Sequence, residues 1–270
     1  GAWHVLALVG VVLFLPGWAE IALAASVYAV GMFGVTAGYH RYFAHRSYRT
    51  SRVGQFVLAW LAQSTLQKGV LWWAAHHRVH HRFSDEEGDP HSPWVDSTSH
   101  AHVLWVLTGE RVERRESGIP DLIKFPELRW LDRYYLLPPL ALAATMSLFG
   151  GWNAVVWGFA VPILAVQHAT FCINSIAHLW GTRPYATKDH SRNNAVLALL
   201  TFGEGWHNNH HGYPGSARQG FLWWQVDVTW LALRVLQSVG LVWGLREPPA
   251  RVLIARRSRA FRQANPAMGR

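Results

Sequence analysis

Residues 134–182 read YYLLPPLALAATMSLFGGWNAVVWGFAVPILAVQHATFCINSIAHLWGT and contain no Asp, Glu, Lys or Arg. The hydrocarbon core of a bilayer is about 30 Å thick, and about 20 apolar helical residues cross it. Gly150-Gly151-Trp152-Asn153 breaks the run with residue types that favour turns. The stretch therefore predicts a membrane hairpin with arms of about 15 and 25 residues. Working outward, Gly1 to Tyr39 repeats the pattern. Its only Asp, Glu, Lys, Arg or His side chains are His4 and Glu20, and Pro16-Gly17-Trp18 marks a second tip. It lacks the basic region of a secretory signal peptide. Its first arm is short for a crossing, so residues are expected ahead of Gly1.

Neither tip carries Lys or Arg. The opposite ends carry Arg41, Arg46, Arg49 and Arg52, then Arg129 and Arg133, then Arg183, Lys188 and Arg192. The positive-inside rule puts both tips outside and the remainder in the cytoplasm. The expected fold is an all-α integral membrane protein with two transmembrane hairpins, four spans in all, at 1–39 and 134–182. Residues 40–133 and 183–270 form a cytoplasmic helical cap, and 1–270 is a single domain. Gln55 to Ala75 is apolar but interrupted by Gln63, Gln67 and Lys68, and reads as an interfacial helix. Phe221 to Leu245 contains Asp227 and Arg234. Charges at the bilayer centre cost about 2.5–3.5 kcal/mol even on lenient scales, so this segment reads as amphipathic and membrane-lying. The Arg251, Arg256, Arg257, Arg259 and Arg262 tail reads as a solvated, lipid-facing end.

Composition agrees. Of the 270 residues, 50% are hydrophobic and only 15% charged, against roughly 25% charged in average soluble domains. Mean hydropathy is only +0.05, so a large water-facing portion must offset the apolar runs. Net charge is +9. With long apolar segments and no nucleic-acid motif, that charge suits anionic lipid headgroups and excludes nucleic acid as the expected partner. The single cysteine, Cys172, excludes an intrachain disulfide framework and a cysteine-built zinc or iron–sulfur site.

The histidines carry the chemistry. His40 and His45 form one pair, His77, His80 and His81 one triplet, and His207, His210 and His211 another; His178 stands four residues after Asn174. Positions i, i+3 and i+4 share one helix face, so each triplet can aim its imidazoles at one place. Imidazole is a common metal ligand, and the number exceeds what one four-coordinate zinc site needs. Two metals are expected. Five residues turn a helix about 140° beyond a full turn, so His40 and His45 are expected to leave helical geometry between them. A lone histidine such as His168 reads as packed or hydrogen-bonded. All-imidazole ligation suits Fe, Cu, Zn or Ni. Iron is the attractive choice, because zinc does no redox chemistry. Asp85, Glu86, Asp89, Asp189 and Glu204 are candidate acceptors for the distal imidazole N–H groups.

These segments resemble the membrane fatty-acid desaturase family, specifically its stearoyl-CoA (delta-9 acyl) desaturase branch in a bacterial form. The resemblance rests on Thr36–Arg41 with His45–Tyr48, His77–Ser84 with Asp89-Pro90-His91, Asn174–His178 with Gly181 and Arg183-Pro184-Tyr185, and Gly203–His211. It covers residues 36–211. It implies that one iron takes His40, His45, His77, His81 and His210. The other takes His80, His178, His207 and His211, with Asn174 acting through a water. His76 stands where the animal enzymes have an acid and is left out. Ala75 replaces an Arg two positions before the second box, and a later basic pair is lost near Leu107-Thr108-Gly109-Glu110, with Arg111, Arg114 and Arg115 as replacements. The acyl carrier therefore stays open between CoA, acyl carrier protein and a membrane lipid.

The reaction implied is O2-dependent introduction of a cis double bond, at delta-9, into a saturated acyl chain by a non-haem diiron centre. Trp72 and Trp73 are expected at the tunnel mouth, and Ala24 to Tyr28 along its length. No dinucleotide, haem or iron–sulfur motif is present, so electrons must come from a ferredoxin, rubredoxin or cytochrome b5 with its reductase. The expected location is the bacterial inner membrane, with the centre facing the cytoplasm. The rival readings are a diiron hydroxylase or ketolase on the same scaffold, and a metal- or haem-binding membrane protein without catalysis.

Overall fold

A computed structural model of the chain describes residues 2–108 and 118–253. In chain order, α1 (Ala2–Leu13) precedes α2 (Trp18–Phe33), which continues directly into a π-helix, Gly34–Ala44. Strand β1 (Arg49–Thr50), α3 (Arg52–Gln63) and α4 (Val70–Phe83) follow. A π-helical turn, His100–Leu104, leads into α5 (Trp105–Thr108), and then come α6 (Pro120–Ile123) and α7 (Pro126–Arg133). The second apolar run forms α8 (Leu137–Val155), a π-helical turn Val156–Ala160, α9 (Val161–Asn174) and α10 (Ile176–Leu179). Finally come α11 (Ala195–Leu200), α12 (His207–Gly212), α13 (Val228–Ser238) and β2 (Val242–Trp243), which pairs antiparallel with β1.

Two helical stretches, Trp18–Ala44 and Leu137–Leu179, are long and apolar enough to cross a membrane. The second is not straight. Gly151 has φ +59 and ψ −155, a conformation that glycine reaches without a Cβ penalty. A Cβ on Gly158 would lie 2.5 Å from the Met146 Sδ, a contact that twelve residues of straight helix, about 18 Å long, exclude. The chain therefore reverses at Gly151. The two tips are fastened together: Glu20 accepts from the Gly17 N–H and from Asn153 Nδ2, both at 2.9 Å, and Trp157 Nε1 donates to the Phe14 carbonyl at 2.7 Å. Apolar side chains on α1 and α8, including Leu8, Val12, Leu140 and Leu148, are exposed.

The segment from Gln55 to Ala75 is two helices and not one. Leu66 and Lys68 adopt positive φ, at 58° and 68°, and break the run. The new N-terminus of α4 is satisfied from elsewhere: Gln63 Oε1 accepts the Val70 N–H, and Asp132 Oδ1 accepts those of Leu71 and Trp72. Helix α3 packs directly against the π-helix, where a Cβ on Gly34 would stand 2.8 Å from the Ala62 nitrogen. The core beneath includes Tyr39, Phe43, Ala59, Ala62, Ala74, Leu128 and Leu131. Within Phe221–Leu245 only α13 is helical. It buries Trp230 and Leu233 and exposes Leu231 and Val235. Arg111, Arg114 and Arg115 lie outside the described residues, as do Arg256, Arg257, Arg259 and Arg262.

Candidate metal centre

His40 lies in the π-helix and His45 caps it, with the His45 N–H donating to the His40 carbonyl at 3.1 Å. This corrects the expected departure from helical geometry. The helix widens to i→i+5 bonding, so five residues make roughly one turn and the two rings sit 4.8 Å apart. His77, His80 and His81 project from α4, and His207, His210 and His211 from α12. His178 sits on α10, just past the helical break at Ser175.

These nine side chains form two groups, His40, His45, His77, His81 and His210 in one and His80, His178, His207 and His211 in the other. Within each, one ligand atom per residue lies within 4.8 Å of the others. The membership is the division that the family resemblance implies. In the first group the Nε2 atoms follow one another, His40 to His210 at 3.0 Å, His210 to His81 at 3.0 Å, His81 to His77 at 3.1 Å and His77 to His45 at 2.9 Å. Two imidazoles about 2.1 Å from one ion and at right angles stand about 3.0 Å apart, so the spacing suits a shared metal. In the second, His178 and His207 place Nε2 atoms 3.0 Å apart, and His211 Nε2 is buried with no hydrogen-bond partner. That orphaned nitrogen also fits a ligand.

The distal nitrogens are held by carboxylates. His80 Nδ1 donates to Asp89 at 3.0 Å, His178 Nδ1 to Asp85 at 2.8 Å, His211 Nδ1 to Asp189 at 2.7 Å, and His40 Nδ1 pairs with Glu204. A carboxylate only accepts, so each of these rings carries its proton on Nδ1 and keeps the Nε2 lone pair free. Burial raises Asp85, but bonds from His178, Ser92 and the His190 N–H outweigh it and hold it at about 2. Asp89 and Asp189 are held far below the usual carboxylate range, again against burial, by His80 and His211. Burial drives His45, His77, His81, His207 and His210 well below the ordinary imidazole range, helped by neighbouring histidines. Neutral imidazole, the form that binds metal, is favoured. Glu86 is exposed, as an ordinary loop carboxylate is.

A small cavity of about 30 Å³ adjoins the groups. Met32, Val35, Thr36, Trp73, Thr170, Ile173, Asn174 and Thr201 line it, together with His40, His77, His207 and Glu204. Of the tunnel residues expected, Trp73 lines this cavity and stacks on His77 at 4.9 Å. Trp72 lies off it, stacked at 3.7 Å on His76, which belongs to neither group. Tyr28 packs behind Met32 and Val35, with its hydroxyl on the Leu200 carbonyl. Ala24 does not line it. His168 is hydrogen-bonded to His4 at 2.9 Å and His102 at 3.0 Å.

Several residues were not anticipated. Buried Arg41 donates to Glu204 Oε1 from Nε and Nη2, to the Ala217 carbonyl, and pairs with Asp227 at 3.0 Å. Gln219 Nε2 donates to Glu204 Oε2 at 2.8 Å. His91 stacks on His80 at 4.4 Å and forms a third group with His80 and Asp89.

The molecule is thus a mostly helical, membrane-compatible protein with two all-histidine, metal-compatible groups beside an apolar cavity. The chain belongs to the fatty acid desaturase family, whose profile matches residues 16–237. It is 38% identical over 239 residues to a palmitoyl-monogalactosyldiacylglycerol delta-7 desaturase of Arabidopsis thaliana, covering 87% of this chain and 64% of that one. Identity is 36% over 255 residues to an acyl-CoA C20 Delta5-desaturase of Anemone leveillei, covering 92% and 80%. It is 34% over 251 residues to an sn-2 palmitoyl-lipid 9-desaturase of Nostoc sp. (strain 36), covering 89% and 86%. All three names are those of desaturases, which are oxidoreductases.

Proposed function

We propose that the chain is an oxygen-dependent acyl desaturase that inserts a cis double bond, at delta-9, into a saturated fatty acyl chain carried by CoA, acyl carrier protein or a lipid. The observation that carries this reading is the pair of all-histidine groups opening on one apolar cavity. His40, His45, His77, His81 and His210 would hold one iron, and His80, His178, His207 and His211 the other, with Asn174 acting through a water. Bound iron supplies the oxidising chemistry: an acyl –CH2–CH2– unit, O2, two electrons and two protons become –CH=CH– and two waters.

The protein's own part is placement. Unactivated C–H bonds leave little acid–base work, so positioning and exclusion of water dominate. Met32, Val35 and Ile173 give the acyl chain apolar walls, and Trp73 closes the side next to His77. Asp85, Asp89, Asp189 and Glu204 fix the tautomers and orientations of four histidines. The reversal at Gly151 and the tied tips support four spans, at 1–39 and 134–182, with residues 40–133 and 183–270 as a cytoplasmic cap in an inner membrane. Electrons would come from a separate ferredoxin, rubredoxin or cytochrome b5 with its reductase, docking on the basic face. The test is expression in a host lacking the activity, supplied with a donor, and location of double bonds in its lipids by mass spectrometry. New delta-9 unsaturation supports the proposal; an unchanged profile with two bound irons and a working donor contradicts it.

A further inference from the structure

The two histidine groups differ sharply in the charge packed behind them. In the four-histidine group, three ligand candidates each lean on a separate buried carboxylate: His80 on Asp89, His178 on Asp85 and His211 on Asp189. Beyond those rings, the bonds these carboxylates accept from the described residues come from neutral donors. Asp85 takes the Ser92 hydroxyl and the His190 N–H, Asp89 the Asp85 and His91 N–H groups, and Asp189 the Ser191 N–H and hydroxyl. Arg183 reaches the Asp189 backbone carbonyl. Among the described residues, no Lys or Arg forms an ion pair with Asp85, Asp89 or Asp189.

The five-histidine group is built the opposite way. Among the described residues, only His40 leans on a carboxylate, Glu204, and that carboxylate is shared with the buried guanidinium of Arg41. A second guanidinium, Arg78, donates to the carbonyls of Phe43 and Ala44 beside His45, and pairs with Asp121. One side therefore faces three carboxylates with no cation paired to them among the described residues, and the other faces Arg41 set between Glu204 and Asp227, one net negative charge, with Arg78 balanced by Asp121. Removing a carboxylate behind a ligating histidine typically lowers metal affinity ten- to a hundredfold. The fifth imidazole of the first group is neutral. It offers the ion a dipole, whereas the second group offers two more full charges in a buried, weakly screened place.

Resting on the two-iron reading above, we infer that the sites are unequal: the His80, His178, His207 and His211 site binds its iron at least tenfold more tightly, and the His40, His45, His77, His81 and His210 site holds the exchangeable iron. Asp85, Asp89 and Asp189 are the positioning residues that create the difference, and Arg41 is the residue that withholds it from the other side.

The test is graded chelator competition on the iron-loaded, full-length protein in nanodiscs, under anaerobic conditions. The readout is iron per chain, with no turnover needed. The wild type is expected to fall from two irons to a plateau at one before losing the second, with chelator midpoints at least tenfold apart. His45→Ala, which damages only the five-histidine site, should retain the chelator-resistant iron. His178→Ala, which damages only the other, should retain only the easily removed one. The triple variant Asp85→Asn, Asp89→Asn, Asp189→Asn should draw the two midpoints together. Loss of both irons in a single step, or a resistant iron that survives His178→Ala but not His45→Ala, overturns the inference while leaving a two-iron enzyme intact. A folded wild type that never holds more than one iron overturns the two-iron reading itself.

Discussion

Replacing Glu204 by Gln changes one atom and one charge at the junction of His40 and Arg41. Oε1 accepts from Arg41 Nε at 3.2 Å and Nη2 at 3.1 Å, while Oε2 faces His40 Nδ1 and Gln219 Nε2. Whichever way the new amide is turned, its NH2 meets two donors. A buried donor left without a partner costs about 1–3 kcal/mol, so the substitution should cost about 2–6 kcal/mol. Two reliefs are available: Gln219, whose Oε1 has no partner, can turn its amide and accept, or His40 can move its proton to Nε2 and accept at Nδ1. The second removes the lone pair a metal needs, and either one takes from His40 Nδ1 the charged acceptor that fixes its orientation. Melting of the metal-free protein in nanodiscs should fall by several degrees, at about 2–4 °C per kcal/mol for a chain approaching this size. Iron affinity at the five-histidine site should fall about ten- to a hundredfold. Glu204→Gln protein that melts as the wild type does and keeps both irons against the same chelator would refute the reasoning.

Other substitutions follow from the same geometry. His80→Ala should lose the iron of its own site and activity, whereas His168→Ala, in a hydrogen-bonded trio apart from the nine, should keep two irons and activity; iron analysis with lipid profiling reads the contrast. Gly34→Ala drives a Cβ to 2.8 Å from the backbone of α3. Backbone cannot step aside as a flexible side chain can, so destabilisation of about 1–3 kcal/mol or more is expected in a thermal melt. Gly118, with nothing within 4 Å of a built Cβ, is the control: Gly118→Ala should stay within about 0.5 kcal/mol of the wild type. Met32→Trp fills part of the cavity wall and should shift product toward shorter chains or abolish turnover without lowering iron content. Unchanged product length and rate would show that the acyl chain lies elsewhere.

The nine histidines were legible because two triplets at helical spacing are a local signal. Their assembly joins residues up to 171 positions apart, His40 to His211, and rests on the family resemblance as well as on spacing. The acceptors Asp85, Asp89, Asp189 and Glu204 could be named as acids in the segments around the histidine clusters, but not paired, since Asp85 serves distant His178 and Glu204 distant His40. Arg41, Gln219 and Asp227 could not, because their partners come from distant segments. The spacing of five between His40 and His45 was misjudged by assuming 3.6 residues per turn where the helix widens. The break at Ser64–Gly69 was hidden too, because the α4 N-terminus is capped by Asp132 from α7, which no local pattern announces. Trp73 was separable from Trp72 in principle: at i and i+4, Trp73 shares a helix face with His77, and Trp72 shares one with His76.

The central claim is that these histidines hold two irons that desaturate an acyl chain. Its most direct test is iron per chain measured on the same purified, donor-reduced protein whose product double bonds are located by mass spectrometry. The account predicts two irons and a new cis double bond at one fixed carbon, with His80→Ala losing the iron of its own site and the double bond together. Two irons with a hydroxylated product, or desaturation that survives the loss of iron, would contradict it.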